Sequence, residues 1–542
     1  MSDLNLTASR RNFIKAAGAA LALGAGTAML GGCSPKGGGS SSNDAATSVA
    51  DIKWDDEYDV IVVGGGIAGL AAAATVASEG EGKKCLLLEK GENAGGNSFQ
   101  SSGYCMWTNE AEKFLNSYIL GLNGDSDCTP EDVMKAYCDG LTENVDWLKG
   151  LGAEPYMAVM GPGYEGAQSN QNPEYPEIDG AQYMGAIRFT GGEDKTGPKH
   201  IAMFLQQYVE STDVDYQKST PMTALVQDPE SGAILGVVAG EKGNKYYKAN
   251  GGVIMCTGGF ENDAEYLENY MGMQGVTPAA AQENTADGHR ACAKAGAAMW
   301  HMKGGACFWM APRNLENTEF TQIQPTGLTK EFGITVGVNG RRFYNDWDAC
   351  AAGDVLEIGS DLRTNVGYRH GATQWGGRWV HLPLPPKAWF VYDAAGLAAG
   401  ALPENLRENP DTTGWAYKAD TIEELAALID VPADELSKTV STWNTFCDNG
   451  EDLAFYRPSN HMTKVAEGPF YATLCTPTML NTDGGPVRDA EARILDPYGN
   501  PIENLYSAGE FGSIWGNMYQ GTGNIGECIV FGRIAARNAM AK

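Results

Sequence analysis

An α/β fold is predicted by three features that follow one another near residue 60. Tyr58-Asp59-Val60-Ile61-Val62-Val63 is a short, nearly continuous apolar run, the pattern of a parallel strand buried on both faces. It runs into Gly64-Gly65-Gly66-Ile67-Ala68-Gly69 and then an alanine-rich helix through Ala77. A second apolar strand, Cys85-Leu86-Leu87-Leu88, ends in the acid Glu89. Strand, G-x-G-x-x-G turn, helix, strand and terminal acid together make a Rossmann-like dinucleotide-binding unit.

Each part of that unit has a physical task. Gly64 permits the tight turn, Gly66 lets a pyrophosphate approach the backbone, and Gly69 lets helix and strand pack closely. The helix N-terminus at Ile67 and Ala68 offers N–H groups and partial positive charge to phosphates. Glu89 is placed to accept hydrogen bonds from ribose hydroxyls. Downstream, Gly251 to Phe260 reads as another apolar strand ending in a glycine-rich turn. Asn284-Thr285-Ala286-Asp287-Gly288 opens a helix with Thr285 or Asp287 as its cap. Asp420 to Asn449 reads as two helices, with Leu425, Leu428 and Ile429 on one face. The chain closes with a strand, Asn504 to Ser507, a glycine-rich loop from Gly509 to Gly526, and a helix from Glu527. No internal repeat is evident.

The 542 residues suit two or three domains, and the 70 glycines suggest close backbone approach to a ligand. Lys plus Arg number 39 against 68 Asp plus Glu, a formal charge of −29, which excludes a nucleic-acid binder. Ser9-Arg10-Arg11-Asn12-Phe13-Ile14-Lys15 is a twin-arginine motif, followed by an apolar stretch too short to span a membrane. That stretch ends Leu30-Gly31-Gly32-Cys33, a lipoprotein-type box with Cys33 as the lipidated residue. Residues 1–33 are therefore expected to be an export signal and 34–54 a flexible tether. Twin-arginine export carries folded proteins, so a cofactor is expected to be loaded in the cytoplasm. The twelve cysteines form no C-x-x-C, so neither a zinc ribbon nor attached haem is indicated. An iron–sulfur cluster built from distant thiols stays open, and no metal ligand set is assigned.

At this point six ordered motifs bring in a family. Gly64-x-Gly66-x-x-Gly69, Gly95-Gly96-Asn97-Ser98, Thr257-Gly258-Gly259-Phe260, Thr285-x-Asp287-Gly288, Thr482-x-Gly484-Gly485 and Tyr506-Ser507-Ala508-Gly509-Glu510 resemble the flavoprotein family of soluble fumarate reductases, urocanate reductases and 3-ketosteroid dehydrogenases. Phe531-Gly532-Arg533 adds to the match, which covers nearly all of residues 55–542. The resemblance implies FAD, in a discontinuous Rossmann-like domain (55–300 and 478–542) with an α+β capping domain, 301–477, inserted into it. It implies cofactor contacts from Gly64, Gly66 to Gly69, Glu89, Lys90, Gly95 to Ser98, Ser102, Gly103, Thr257 to Gly259, Asp287, Gly509, Glu510, Asn524 and Ile525. The loop Asn97 to Gly103 carries no histidine, so the flavin is expected to be non-covalent.

The resemblance also sorts the substrates. Fumarate reductases hold a dicarboxylate with H-G-x-x-R, where this chain has Trp515-Gly516-Asn517-Met518-Tyr519. The family's acid arginine falls at Cys350, and its H-P-T motif at Gln324-Pro325-Thr326. Carboxylates desolvated without charged donors would be left unpaired. The stretch Tyr519-Gln520-Gly521-Thr522-Gly523 instead resembles the steroid branch, where the tyrosine hydroxyl and the second glycine N–H polarise a substrate carbonyl. Trp515 is then expected to wall a flat apolar ligand. The steroid branch's proton-handling tyrosine corresponds to Cys350, a proton donor or a buried structural thiol. Tyr344, Asp348 and Tyr164 are substitutes, Tyr164 also as a substrate contact. Arg341 and Arg342 are expected in structural salt bridges, and Arg188 and His200 on the surface or in loops.

The reading is an exported ene-reductase, of the branch that resembles cardiac glycoside reductase. Hydride passes from flavin to an electron-poor C=C in an enone, unsaturated lactone or conjugated alkene. No electron-supplying domain is evident, so a membrane cytochrome or quinol-linked donor is the expected partner, met through lipidated Cys33 outside the cytoplasmic membrane. The rivals are a ketosteroid dehydrogenase, a fumarate- or urocanate-type reductase with a rearranged clamp, and a non-catalytic flavin electron carrier.

Overall fold

The computed structural model describes residues 52–93, 95–123, 129–160, 178–191, 200–279, 281–310, 328–344, 346, 387–516 and 520–542. The export signal, Cys33, the tether up to residue 51, Tyr164, Asp348, Cys350 and Tyr519 lie outside the described residues. Residues Ile52–Lys542 form one compact unit.

The first strand, β1 (Asp56–Val63), leads through helix α1 (Ile67–Glu79) to β2 (Cys85–Leu88), paired parallel to β1. Beyond β2 lies β3 (Asp215–Gln217); on the other flank of β1 lies β4 (Lys245–Met255), and outside it β5 (Pro501–Ser507). The parallel order is thus β5-β4-β1-β2-β3, with an antiparallel hairpin, Met222–Gln227 and Ile234–Ala239, attached to β4. Val60, Ile61 and Val62 are completely buried, as a run apolar on both faces requires. Helix α1 is buried from Ile67 through Val76 because the C-terminal helix α2 (Gly523–Met540) lies against it. A Cβ at Gly532 would sit 2.7 Å from the Ala68 carbonyl oxygen, so glycine and alanine set that close approach.

A second sheet is organised by the long strand Phe470–Thr482. Gly305–Met310, Ala388–Asp393 and Tyr417–Ala419 pair with it antiparallel, and Thr277–Pro278 parallel. Helices Ile422–Leu428 and Ala433–Asn449 contribute to a core that includes Trp389, Leu436 and Trp443. From Thr482 the chain turns through Asp483 and Gly484 into Gly485–Pro486, which pairs with Met299–Trp300. A third, small antiparallel sheet joins Cys105–Trp107, Gly185–Gly191 and Ala153–Met160. Among the described residues no helix is long and apolar enough to cross a membrane.

Three local expectations are corrected. The terminal helix starts at Gly523, four residues before Glu527, and takes Gly523 and Gly526 into its first turn. Those glycines read as loop by propensity, but added side chains would strike Trp515 and Leu141, so packing overrides propensity. The helix Asp287–Lys294 is capped by neither Thr285 nor Asp287: its N-cap is Ala286, in the left-handed region at φ 60°. Leu428 is 49% exposed, and the inward stripe is Ile422, Leu425, Ala426 and Ile429. That spacing of three, four and seven keeps one helical face inward.

Candidate FAD-binding site

The cleft opens beyond the carboxyl ends of β1, β2 and β4, where the sheet order reverses, with Val63, Leu88 and Cys256 on its wall. With the open solvent at its mouth it holds about 840 Å³ of empty space. Gly64 makes the turn at φ +109°, and a Cβ there would strike the Cys256 carbonyl. Gly69 packs beneath it, where a side chain would meet the Gly64 carbonyl oxygen, so it shapes the turn without lining the cleft. Gly66 differs: the nearest atom to an added Cβ is Ser98 Oγ at 3.2 Å, leaving its backbone open to the cleft. Ser98 Oγ accepts the Ile67 N–H at 2.9 Å, fixing the second glycine loop to the start of α1.

Glu89 is buried and accepts the N–H of Gly65 at 2.8 Å and of Gly91 at 2.6 Å. Burial pushes its carboxyl up, and the two N–H donors oppose that shift. Each oxygen keeps a second lone pair for a ribose hydroxyl. Lys90 Nζ donates to Thr285 Oγ1 at 2.7 Å and pairs with Asp287 at 2.5 Å. Those two side chains face Lys90 instead of capping their helix.

At the opposite end the cleft is floored by Asn97, Thr257, Gly258 and Glu510. Gly259 lies behind, under Thr482, Glu261 and Glu510. Thr257 Oγ1 is buried with no hydrogen-bond partner, and Gly95 and Gly96 complete the rim. An open glycine turn, an orphaned hydroxyl on the wall and an acid at the second strand's end are the donor set a dinucleotide would satisfy. Glu283, Asn284, Thr220 and Met222 also line the cleft and were missed, because only chain folding brings them there.

Comparison with family models matches residues 59–525 to the FAD binding domain family. The chain belongs to that family. It is a FAD-dependent oxidoreductase, and the residues described above fit the cofactor. It is similar to digoxin reductase of Eggerthella lenta, 27% identical over 98% of this chain and 97% of that protein. It is also similar to vinyl phenol reductase of Lactiplantibacillus plantarum, 26% identical over 89% of this chain and 96% of that protein. The crystal structure of 3-ketosteroid Δ1-dehydrogenase from Sterolibacterium denitrificans shares the fold, with a TM-score of 0.67 at 22% identity, covering 90% of this chain and 99% of that one.

The remaining assigned residues are placed as follows. Ser102 is exposed, and Gly103 packs on the ring of His200. Gly509 sits directly behind the lining, against Ala68 and Cys528, which face the cleft. Asn524 and Ile525 lie in the first turn of α2, Asn524 Oδ1 lying 3.4 Å from Ser513 Oγ, whose proton goes to Glu527. The Gly523 N–H, expected to polarise a substrate carbonyl, instead donates to Gln520 O at 2.9 Å, because the chain closes a turn onto the helix. Trp515 is buried beneath Gly523, edge-on to Tyr137 at 5.7 Å between ring centroids. Tyr344 is buried beside Thr335, and burial pushes its hydroxyl well up. Arg341 pairs with Glu435 at 2.6 Å and Arg342 with Asp452 at 2.8 Å, the salt bridges expected of them. His200 is more than a loop residue: Nδ1 accepts from Ala202 N and caps a helix, while Nε2 lies 2.9 Å from Ser101 O.

Proposed function

We propose that this chain is an exported reductase that adds hydride and a proton across an activated C=C of a neutral, flat substrate. The near full-length similarity to two proteins named as reductases of digoxin and of vinyl phenol carries the reading. Bound FAD supplies the two-electron hydride chemistry. Gly64 to Gly66, Glu89, Asn97, Ser98, Thr257 and Glu510 would hold it. The Tyr519 hydroxyl polarises the substrate carbonyl or lactone and stabilises the charge that develops on its oxygen. In the sequence Trp515 takes the position of a carboxylate-holding histidine, so that donor for a second anionic group is missing. Tyr344 keeps its proton in the core, so protonation of the opposite carbon falls to the segment carrying Cys350. The twin-arginine segment exports the folded protein, lipidated Cys33 tethers it, and a membrane cytochrome or quinol-linked donor supplies electrons.

The test is anaerobic reduction of the FAD-loaded protein by a low-potential dye, followed by flavin reoxidation against chosen acceptors. Fumarate, urocanate, a cinnamate, an androstenedione and a cardenolide span the alternatives. Reoxidation by a neutral enone or lactone, silence toward fumarate and a loss of about 100-fold in Tyr519→Phe are expected. Turnover of fumarate would overturn the reading in favour of a rearranged carboxylate clamp. Faster transfer from a saturated ketosteroid to an oxidised dye would favour the dehydrogenase direction.

A further inference from the structure

Three carboxyls beside the flavin cleft are buried, Glu261, Asp483 and Glu527, and a fourth, Glu510, is half-buried and lines it. They are not alike. Glu527 has a cation, since Arg488 Nη2 lies 2.9 Å from it, and it pins the preceding loop by accepting from Ser513 Oγ and Ile514 N. Asp483 accepts from Asn481 Nδ2 at 3.0 Å. Glu261 and Glu510 share a single amide. Asn97 Oδ1 accepts the Ala281 N–H at 3.0 Å, which fixes which end of the side chain is the donor. Asn97 Nδ2 then reaches Glu261 Oε1 at 2.5 Å and both Glu510 oxygens at 3.1 Å. An amide has two hydrogens, and the Leu480 carbonyl at 3.3 Å is the longest of its contacts, so one hydrogen goes to each carboxyl.

The other partners are neutral as well. Asn284 Nδ2 donates to Glu261 at 2.7 Å, and the Thr482 N–H donates to Glu510 at 3.3 Å. Among the described residues no Lys, Arg or His pairs with either carboxyl. Both oxygens crowd the position that a Gly259 side chain would occupy, so the two groups are neighbours. Two like charges that close, one sealed from water and one half-buried, with no cation paired to either, are not readily held ionised together. Burial pushes both carboxyls up, and Glu261 raises Glu510 further. The titratable groups facing the pair are Asp483, itself pushed well up, and the Cys528 thiol, held protonated by burial and by the acids around it, with the Glu527–Arg488 pair beyond Asp483. His289, against Phe260, is held neutral by burial, down at about 4.

The two members differ in one respect: Glu510 and Asn97 line the cleft, whereas Glu261 does not. We propose that Glu261 and Glu510 hold one proton between them, bridged by Asn97, and that cofactor binding settles it on Glu261. Glu510 is thereby left as the anionic acceptor facing FAD. Glu261 is a positioning residue that acts through Glu510. Where the free pair already holds the proton it moves within the pair, and where the pair has lost it near neutral pH one proton is taken up from buffer onto Glu261.

The test is calorimetric titration of the FAD-free protein with FAD, in buffers of differing ionisation enthalpy, from pH 6 to 8. The wild type should exchange a fraction of a proton on binding, with an affinity that varies with pH by up to about tenfold per unit. In Glu261→Gln, which removes the titrating group, proton exchange should fall below one tenth and the affinity should become flat with pH. Infrared difference spectra of FAD binding to the wild type should show a buried protonated-carboxyl band. That readout stands even if the variant does not fold, and Asn97→Leu, which removes the bridge, should alter the band. Absence of proton exchange and of the band in the wild type overturns the proposal. An unchanged pH dependence in folded Glu261→Gln overturns it as well.

Discussion

Arg457 and Glu261 are both sealed from solvent, yet their surroundings differ in kind. Around Arg457, in the loop that leads to the long strand Phe470–Thr482, each buried acid has a guanidinium. Its guanidinium pairs with Asp346 and donates to the carbonyls of Lys330 and Gly333. Arg342 grips Asp452 through both terminal nitrogens, at 3.0 and 2.8 Å. Burial would push Asp346 up, but the two guanidiniums outweigh it and hold the carboxyl at about 2. Around Glu261, beside the cleft, carboxyls outnumber cations and a wall hydroxyl, Thr257 Oγ1, has no partner. Acids paired with cations stabilise a fold, whereas carboxyls left without a cation beside a cleft can change protonation when a ligand arrives.

That contrast can be broken most forcefully at Arg457. Replacing it by Met leaves Asp346 buried without its main cation, and should cost about 3–5 kcal/mol in urea unfolding. FAD affinity of the folded variant should stay within about twofold of wild type, given the ~0.3–0.5 kcal/mol additivity of distant sites. A comparable loss of FAD affinity would mean that the two networks are one.

The pH dependence of stability separates the same regions. Asp483 is pushed well up, so the folded chain keeps a proton that the unfolded chain releases above the ordinary range near ~3.9. Stability of the FAD-free protein should therefore fall as pH rises from about 4 through neutrality, by up to ~1.4 kcal/mol per unit per proton. Asp346 has the opposite sign: its contribution is complete above the unfolded value and is lost as pH falls toward about 2. Urea midpoints from pH 2 to 8 should show Asp483→Asn lowering the slope of the neutral limb, to which Glu261, Glu510 and Glu527 also contribute, and Asp346→Asn acting on the acid limb.

Smaller effects sharpen the picture within the cleft. Gly66→Ala meets no atom closer than 3.2 Å, so the fold should tolerate it while FAD affinity drops about tenfold. Gly69→Ala strikes the Gly64 carbonyl and should lower the melting temperature as well. The smallest change is Leu428→Gln on the exposed face, expected within about 0.5 kcal/mol of wild type. Leu425→Ala, fully buried on the same helix, should cost about 2–5 kcal/mol.

Much of the cofactor half was legible without coordinates. Strand Cys85–Leu88, the glycine turn and Glu89 all stand where local pattern put them, because a tight turn and a doubly buried strand restrict residue type at each position. What local pattern could not reach was anything assembled across long separations. Asn97 meets Glu261 and Glu510 from positions 164 and 413 residues away. Thr285 and Asp287 turned to Lys90 rather than capping their own helix, since a cation was already within reach. The Gly523 N–H went to Gln520, a preference set by the turn and invisible in the motif. By itself the sequence determined the turn, the strands around it and the class of cofactor, all products of short-range sterics and periodicity. Only the tertiary structure decided which buried charges are paired, because pairing depends on what distant segments bring into a region without water.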